Sequence, residues 1–482
     1  MKIRLPAHKT KIICTIGPAS QSETVLSDMM QNGMTIARIN FSHGTQADHQ
    51  QTISSIRAVS KKHNGRCPVL VDLPGPKMRI GKLAAEPLFL KKQTEVTLTT
   101  RDIPGTPSLI PVTYRRLPDS VSPGSVIYLN DGFIELKVIA VLKDEVRCIV
   151  TTGGAILSGK GINLPGAKIF MNPVTSRDLE LMEFALEEGI NTFSLSFIET
   201  ADDIRLAKSF AREKGHDVNI VAKIERLAAV ENIDEILKVA DAIMIARGDL
   251  GVEIPIEDIP VVQKQLIRKA NLSCRPIITA TQMLESMIDN TRPTRAEATD
   301  VANAILDGTD AVMMSEETAI GHYPVETVKI MSRIATALEK QRHTIRSSVF
   351  LREQLKEELI VRQKSVPDTV SLNVSETVRA LECPFVLTAT SGGMTARRVS
   401  RFKPDSWIIA CNSDERVCDF LLFSYGVLPM LMKTGTRKWY MSLIRHLKDS
   451  GLLRKGDRII LTEGKFSGKT GGTDSLGIIT IS

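Results

Sequence analysis

Short β-branched apolar runs alternate with amphipathic helical stretches along most of this 482-residue chain, and no other feature restricts its fold so tightly. Ile12-Ile13-Cys14-Thr15-Ile16 reads as a strand, residues 22–31 as a helix stopped at Asn32-Gly33, and Thr35-Ile36-Ala37-Arg38-Ile39 as a second strand. Residues 46–63 read as a second helix and Val69-Leu70-Val71 as a third strand. Strands apolar on both faces, each followed by a helix, require a parallel sheet covered by helices. The rhythm stops after Gly75. Residues 76–168 carry Pro and Gly punctuation and period-two stretches such as Glu95-Val96-Thr97-Leu98-Thr99. Within them Val126-Ile127-Tyr128-Leu129 and Phe133-Ile134-Glu135-Leu136 flank Asn130-Asp131-Gly132, a hairpin signature. Near Ser176 the alternation resumes, with strands at residues 192–197, 219–222, 242–246, 276–279 and 311–314. Three strands before the break and five after it make eight. Eight βα units over roughly 250 residues predict a closed (β/α)8 barrel rather than an open doubly wound sheet. The expected α/β architecture is a barrel from residues 1–74 and 169–341, a β-barrel lid inserted at 75–168, and a C-terminal α/β domain at 342–482. In that last part a charged helix at 353–364 precedes strands near 385–389, 407–410 and 458–461.

Composition narrows the classes of function. The net charge is +7, from 62 Lys+Arg and 55 Asp+Glu, with no run of five or more like charges, and only 4% of residues are aromatic. Neither a basic stripe nor stacking platforms for nucleic acid are present. No apolar run approaches the ~20 residues of a membrane span, and the first residues contain no apolar signal core. Seven widely spaced cysteines without a C-x-x-C pair fit reduced thiols and give no zinc signature. A cytoplasmic enzyme or binding protein is expected.

Barrel enzymes carry their chemistry at the carboxyl ends of the strands. Those ends are polar here: Arg38-Ile39-Asn40-Phe41-Ser42-His43-Gly44, Asp72, Lys223-Ile224-Glu225, Arg247-Gly248-Asp249-Leu250-Gly251, Thr281-Gln282 and Ser315-Glu316-Glu317-Thr318. Glu225 and Asp249 suit Mg²⁺ or Mn²⁺, which takes one or two carboxylates and completes its shell with water and substrate phosphate. Lys223 is two residues from Glu225, so on an extended strand both side chains point to one side. An ammonium there can stabilise an enolate or a transferring phosphoryl group. Gly248, Asp249 and Gly251 offer backbone N–H groups to an anion, and Arg38 and Arg79 are fork donors suited to phosphate.

Longer motifs resemble one family. They are Thr10-Lys11-Ile12 through Thr15-Ile16-Gly17-Pro18-Ala19, residues 37–44 (ARINFSHG), 160–166 (KGINLPG), 222–225 (AKIE), 246–255 (ARGDLGVEIP), 280–287 (ATQMLESM) and 293–304 (PTRAEATDVANA). In these stretches the sequence resembles pyruvate kinase over nearly its whole length. The resemblance implies a barrel with an inserted lid and a C-terminal domain, ending without the phosphohistidine-type domain that some bacterial members carry. It implies phosphoryl transfer from phosphoenolpyruvate to ADP, giving pyruvate and ATP. By motif, Glu225 and Asp249 are the implied divalent-metal ligands, and Lys223 the implied stabiliser of phosphoryl and enolate charge. Arg38 is implied to grip the phosphate. Gly248, Asp249 and Thr281 are implied to hold the substrate carboxylate, and Ser315 and Glu317 to relay the proton. The resemblance places nucleotide at Asn40, Phe41, Ser42, His43, Arg79 and Lys160. It also implies a phosphorylated effector at Thr390, Ser391, Gly392, Gly393, Met394 and Thr395, before a helix starting near Ala396. A homotetramer follows by the same analogy.

Three positions depart from the family pattern. Residues 72–80 read DLPGPKMRI, with Lys77 where the family commonly has glutamate. K⁺ ligands would match Asn40, Ser42, Asp72 and the Leu73 carbonyl, and Lys77 resembles a minority group that works without K⁺. A compact ammonium can replace a bound monovalent cation. Glu316 stands where Gly is usual, which is costly if the position requires φ > 0. Glu199 stands where arginine is common. Two other readings share parts of the pattern: another metal-dependent barrel acting on phosphoenolpyruvate or an oxo acid, and a non-catalytic effector-binding relative.

Overall fold

A computed structural model describes the chain except for residues 1–2, 64, 131, 342–345, 363–364, 434–438 and 465–471. Eight parallel strands close into a barrel: Lys11–Thr15, Ile36–Asn40, Val69–Leu73, Thr192–Leu195, Asn219–Ile224, Ala242–Ala246, Ile277–Ala280 and Ala311–Met314. Lys11 lies opposite Ala311 and Cys14 opposite Met314, so the first strand pairs with the last and no edge is left open. Strand residues alternate. One set, with Ile12, Cys14 and Ile245, packs outward against the helices. The other, with Ile13, Ile36, Leu70, Val221, Met244 and Met313, fills the barrel axis. Several barrel helices start on capping boxes, at Thr45, Thr175 and Thr294.

The third strand still neighbours the fourth, with Asp72 opposite Ser194, although an insertion separates them in sequence. The insertion forms a six-stranded sheet in the order Ile162–Asn163, Val126–Leu129, Ile134–Val141, Glu145–Thr152, Glu95–Thr99, Leu109–Pro111. A two-stranded sheet pairs Leu88–Leu90 with Gly154–Ile156. Isolated bridges from Arg79 to Gly161 and from Ile80 to Val112 give the two edges of the larger sheet a common neighbour. The insertion has its own apolar core, running from Met78 to Leu164. At its exit Gly75 adopts φ +64°, and an added Cβ would lie 3.0 Å from that of Ser196, so glycine is required. The Gly75 N–H donates to Asp178 Oδ1 at 3.0 Å, while the Thr175 N–H and hydroxyl donate to Asp178 Oδ2 at 2.8 and 2.6 Å. One carboxylate therefore ties both the outgoing and the returning chain.

The C-terminal sheet runs Val427–Leu431, Trp407–Asn412, Phe385–Ala389, Arg458–Glu463, Ser475–Thr480, with only the last strand antiparallel. Phe420 and Phe423 come from this part of the chain, with ring centroids 5.4 Å apart, and belong to the apolar cluster on the barrel axis. They plug the floor of the barrel.

The strand expected at 192–197 stops at Leu195, because Phe197 turns to φ +56°. The strand expected at 219–222 continues to Ile224 and so carries Lys223. The helix expected near Ala396 begins at Met394, capped by Gly393 at φ +78°. The charged helix spans Arg346–Arg362, and the end expected for it at 363–364 lies outside the described residues, as does Asp131 of the hairpin turn. Truncating the plug, Phe423→Ala, is expected to lower unfolding stability by about 3–5 kcal/mol, read as a lower urea midpoint.

Candidate active site

Asp72, at the end of the third strand, is the centre of a buried polar network. Its Oδ2 accepts from Arg38 Nε at 3.2 Å and pairs closely with Arg38 Nη2. Its Oδ1 accepts from the Ser194 hydroxyl at 2.6 Å. Lys223 Nζ approaches Oδ2 to 3.5 Å. Burial would raise this carboxyl, but the charges of Lys223 and Arg38 and the Ser194 hydroxyl outweigh it and hold the pKa at about 2. The Arg38 Nη1 donates to Thr15 Oγ1 at 2.7 Å, so the first strand joins the same network.

Lys223 lies 2.8 Å from Glu225 Oε1 and donates to Ser196 Oγ at 2.8 Å. Burial disfavours its ammonium, yet Asp72 and Glu225, with help from Asp249, raise its pKa. Glu225 Oε2 accepts from the Phe197 N–H at 2.7 Å, which is why Phe197 turns out of the strand. Burial pushes Glu225 upward, Lys223 opposes this, and the nearby Asp249 charge adds to the upward push. Glu225 is buried and paired with Lys223, whereas Asp249 is half-buried. Among the described residues no cluster of three or more His, Cys, Asp or Glu could hold a metal. Two carboxylates fit Mg²⁺, which completes its shell with water and phosphate.

The sixth strand runs straight into the helix Arg247–Glu253. The Gly248 N–H donates to Thr281 Oγ1 at 2.9 Å, and that hydroxyl donates to the Ala280 carbonyl at 2.7 Å. Thr281 and Gln282 both have positive φ, at 63° and 54°. Arg247, buried, donates to the Thr281 carbonyl at 2.7 Å and pairs with Asp300 at 2.7 Å, holding this strained turn.

Glu317 is buried; its Oε2 accepts from the Ser315 N–H at 2.6 Å and its Oε1 from the Leu284 N–H at 3.2 Å. Burial raises its pKa. Glu316 opens a helical turn and is not among the positive-φ residues, so the expected backbone cost at this position is corrected: glutamate fits it. Glu199 forms a close ion pair with Arg226, and its carbonyl accepts from Asn232 Nδ2 at 3.0 Å.

Asn40 Oδ1 accepts from the Ser42 N–H at 3.1 Å, and the Leu73 carbonyl accepts from the Ser196 hydroxyl at 2.8 Å. Ser42 and His43 are exposed. Phe41 is buried, stacked on His49 at 4.1 Å, so its ring serves the core. Lys77 is exposed and makes no ion pair among the described residues. Arg79 Nη1 donates to the Gly159 carbonyl at 2.8 Å, beside Lys160, whose own carbonyl accepts from Ile80 at 2.9 Å. In the C-terminal loop the Asn412 Nδ2 donates to the Ser391 carbonyl at 2.9 Å, and Thr395 Oγ1 meets Thr473 Oγ1 at 2.6 Å. Much of the Gly-rich stretch that precedes Thr473, residues 465–471, lies outside the described residues.

Sequence reading gave no role to Thr15, Ser194, Ser196 and Arg226, and placed Arg247 at a polar strand end without a partner. Ser194 and Ser196 carried a signal: with Thr192 they make three hydroxyls at period two in the strand expected at 192–197.

The family model for the pyruvate kinase barrel domain matches residues 7–328, and that for the pyruvate kinase alpha/beta domain matches 368–479. The chain belongs to the pyruvate kinase family. A pyruvate kinase of Thermococcus litoralis is 48% identical over 479 residues, covering 99% of this chain and all of the relative. One of Geobacillus stearothermophilus is 40% identical, covering 98% of this chain and 81% of the relative. The crystal structure of a Cryptosporidium parvum pyruvate kinase superposes with a TM-score of 0.91 at 34% identity, covering 99% of this chain and 97% of the other.

Asp72 supplies a pH test. Its folded pKa lies below that of a free carboxylate, so its stabilisation is full above about pH 4 and is lost as pH falls towards 2. In that window Asp72→Asn should flatten the acid limb of unfolding stability by about 1.4 kcal/mol per pH unit, measured by denaturant titration.

Proposed function

We propose that this site transfers the phosphoryl group of phosphoenolpyruvate to ADP, giving pyruvate and ATP. One observation carries the reading: Arg38, Asp72, Lys223 and Glu225 join in a single charged network at the carboxyl ends of the barrel strands. In the forward direction the P–O bond to the enol oxygen breaks and a P–O bond to the terminal ADP oxygen forms. The enolate left behind takes a proton on its methylene carbon. Positioning and charge neutralisation carry such a reaction.

Each residue has a part in this reading. Lys223, held charged, faces the transferring phosphoryl and the enolate oxygen. Arg38 spends three N–H donors on Asp72 and Thr15, leaving two of the five of a guanidinium for phosphate. Thr281, with the Gly248 and Asp249 amides, receives the substrate carboxylate, for which the Gly248 N–H gives up the Thr281 hydroxyl and that hydroxyl gives up the Ala280 carbonyl; Ser315 and Glu317 serve the proton step. Glu225 and Asp249 hold Mg²⁺ or Mn²⁺, which supplies charge neutralisation at the phosphoryl and enolate oxygens. Asn40 to His43 meet nucleotide from the barrel, Arg79 and Lys160 from the lid.

The reading includes independence from K⁺. Supporting it, the Asn40 Oδ1, Asp72 carboxylate and Leu73 carbonyl already accept hydrogen bonds within the chain, and Lys77, though exposed, carries a positive charge four residues after Leu73 in sequence. A phosphorylated activator at residues 390–395, a homotetramer and a cytoplasmic location complete it. No described helix is long and apolar enough to cross a membrane.

Lys223→Met should cut phosphoryl transfer at least about 100–1,000-fold with an unchanged circular dichroism spectrum; near-normal pyruvate release in an ADP-dependent assay would refute its role. Turnover in a bulky organic-cation buffer should be near maximal without K⁺, and Lys77→Glu should create K⁺ dependence. Strong K⁺ activation of the unaltered enzyme would overturn this.

A further inference from the structure

Beneath the barrel, on the side away from the active site, a cleft of about 170 Å³, counting its part open to solvent, separates the barrel from the C-terminal domain. Barrel residues Arg275 and Asp310 line one side; Arg397, Arg401 and Ser424 line the other. Three guanidinium groups thus meet one carboxylate. That carboxylate is already committed: Asp310 pairs with Lys403 at 2.7 Å and accepts from the Tyr425 N–H at 2.8 Å.

The arginines are unevenly compensated. Arg401 pairs with Asp368 at 2.8 Å, but its Nε, buried, has no partner. Arg275 reaches Asp241 only at 4.0 Å, a carboxylate that Lys208 holds at 2.6 Å. Arg397 is 9% exposed and makes no ion pair among the described residues. Its Nη2 donates to the Gly392 carbonyl at 3.1 Å, and its Nε is orphaned. Burial, with the neighbouring charge of Arg275, lowers its pKa to about 10. The Ser424 hydroxyl, 1% exposed, also lacks a partner. A buried guanidinium without an anion and a buried hydroxyl without a bond are each costly, and here they share one cleft.

We propose that this interdomain cleft is a binding site for a small oxyanion of the phosphate type, held by Arg275, Arg397, Arg401 and Ser424. Guanidinium forks and a hydroxyl are the donors that phosphate oxygens select. The position gives the ion leverage. Arg397 also lies over the Phe420 ring, 5.6 Å from its centroid, so one side chain touches the cleft, the 390–395 loop and the barrel plug.

The test is calorimetric titration of inorganic phosphate into the full chain at constant ionic strength. One saturable equivalent is expected, with binding at least tenfold weaker in Arg397→Met and in Ser424→Ala. Ser424 makes no hydrogen bond to lose, so the second variant retains the fold. Ser391→Asp, which places a negative charge at the exposed residue of the 390–395 loop, should leave this binding unchanged. The same Arg397 dependence for a hexose monophosphate would assign the site to an esterified phosphoryl group; dependence for inorganic phosphate alone would assign it to the free ion. Crystals of the unaltered protein soaked in selenate should show an anomalous peak between Arg275 and Arg397. No saturable binding, no peak, or binding lost in Ser391→Asp but kept in Arg397→Met would overturn the proposal.

Discussion

A carboxylate sealed from water stays ionised only if cations and donors hold it, and Asp72 is held from three directions. Arg38 comes from the second strand, Ser194 from the fourth and Lys223 from the fifth. The ions are close enough that removing one would strand the others in a low-dielectric mouth, which is far costlier than never burying them. This fixes geometry as well as charge. Lys223 cannot leave Asp72 without abandoning Glu225 and Ser196, and Arg38 cannot leave without releasing Thr15. The functional groups are therefore oriented before any substrate arrives, which is where a phosphoryl-transfer catalyst gains its rate.

The closed sheet makes this convergence possible. Strand ends far apart in sequence meet because the first strand pairs with the last and because the insertion leaves the third and fourth strands adjacent. Backbone strain occurs on the same rim, as it does elsewhere in the chain. Phe197, Thr281 and Gln282 all adopt positive φ without being glycine, and each is restrained: Phe197 by Glu225, the other two by Arg247. Strain of this kind persists where surrounding contacts over-determine the backbone. On the opposite face the Phe420–Phe423 pair fills the barrel floor, so the C-terminal domain completes the barrel core.

Most of the barrel was legible because its strands are apolar on both faces and its helices are amphipathic, and the eight-fold count needed no tertiary information. The pairing of Lys223 with Glu225 was legible from their position at a strand end and from their period-two relation. What was not legible was partnership between strands. Nothing in the order of residues says that Ser194 will meet Asp72 or that Arg247 will hold the Thr281 turn, since those contacts depend on barrel register across long separations. Glu316 shows the converse case: glutamate in place of the usual glycine would be costly only at positive φ, and the local helix does not require one. Glu199 gained an explanation only in three dimensions, through Arg226.

Asp178 ties down Gly75 on the way out of the barrel and Thr175 on the way back, so the inserted domain hangs from a single anchored point rather than from two independent ropes. A panel mounted on one pivot has few ways to swing. Its path is set by the mounting.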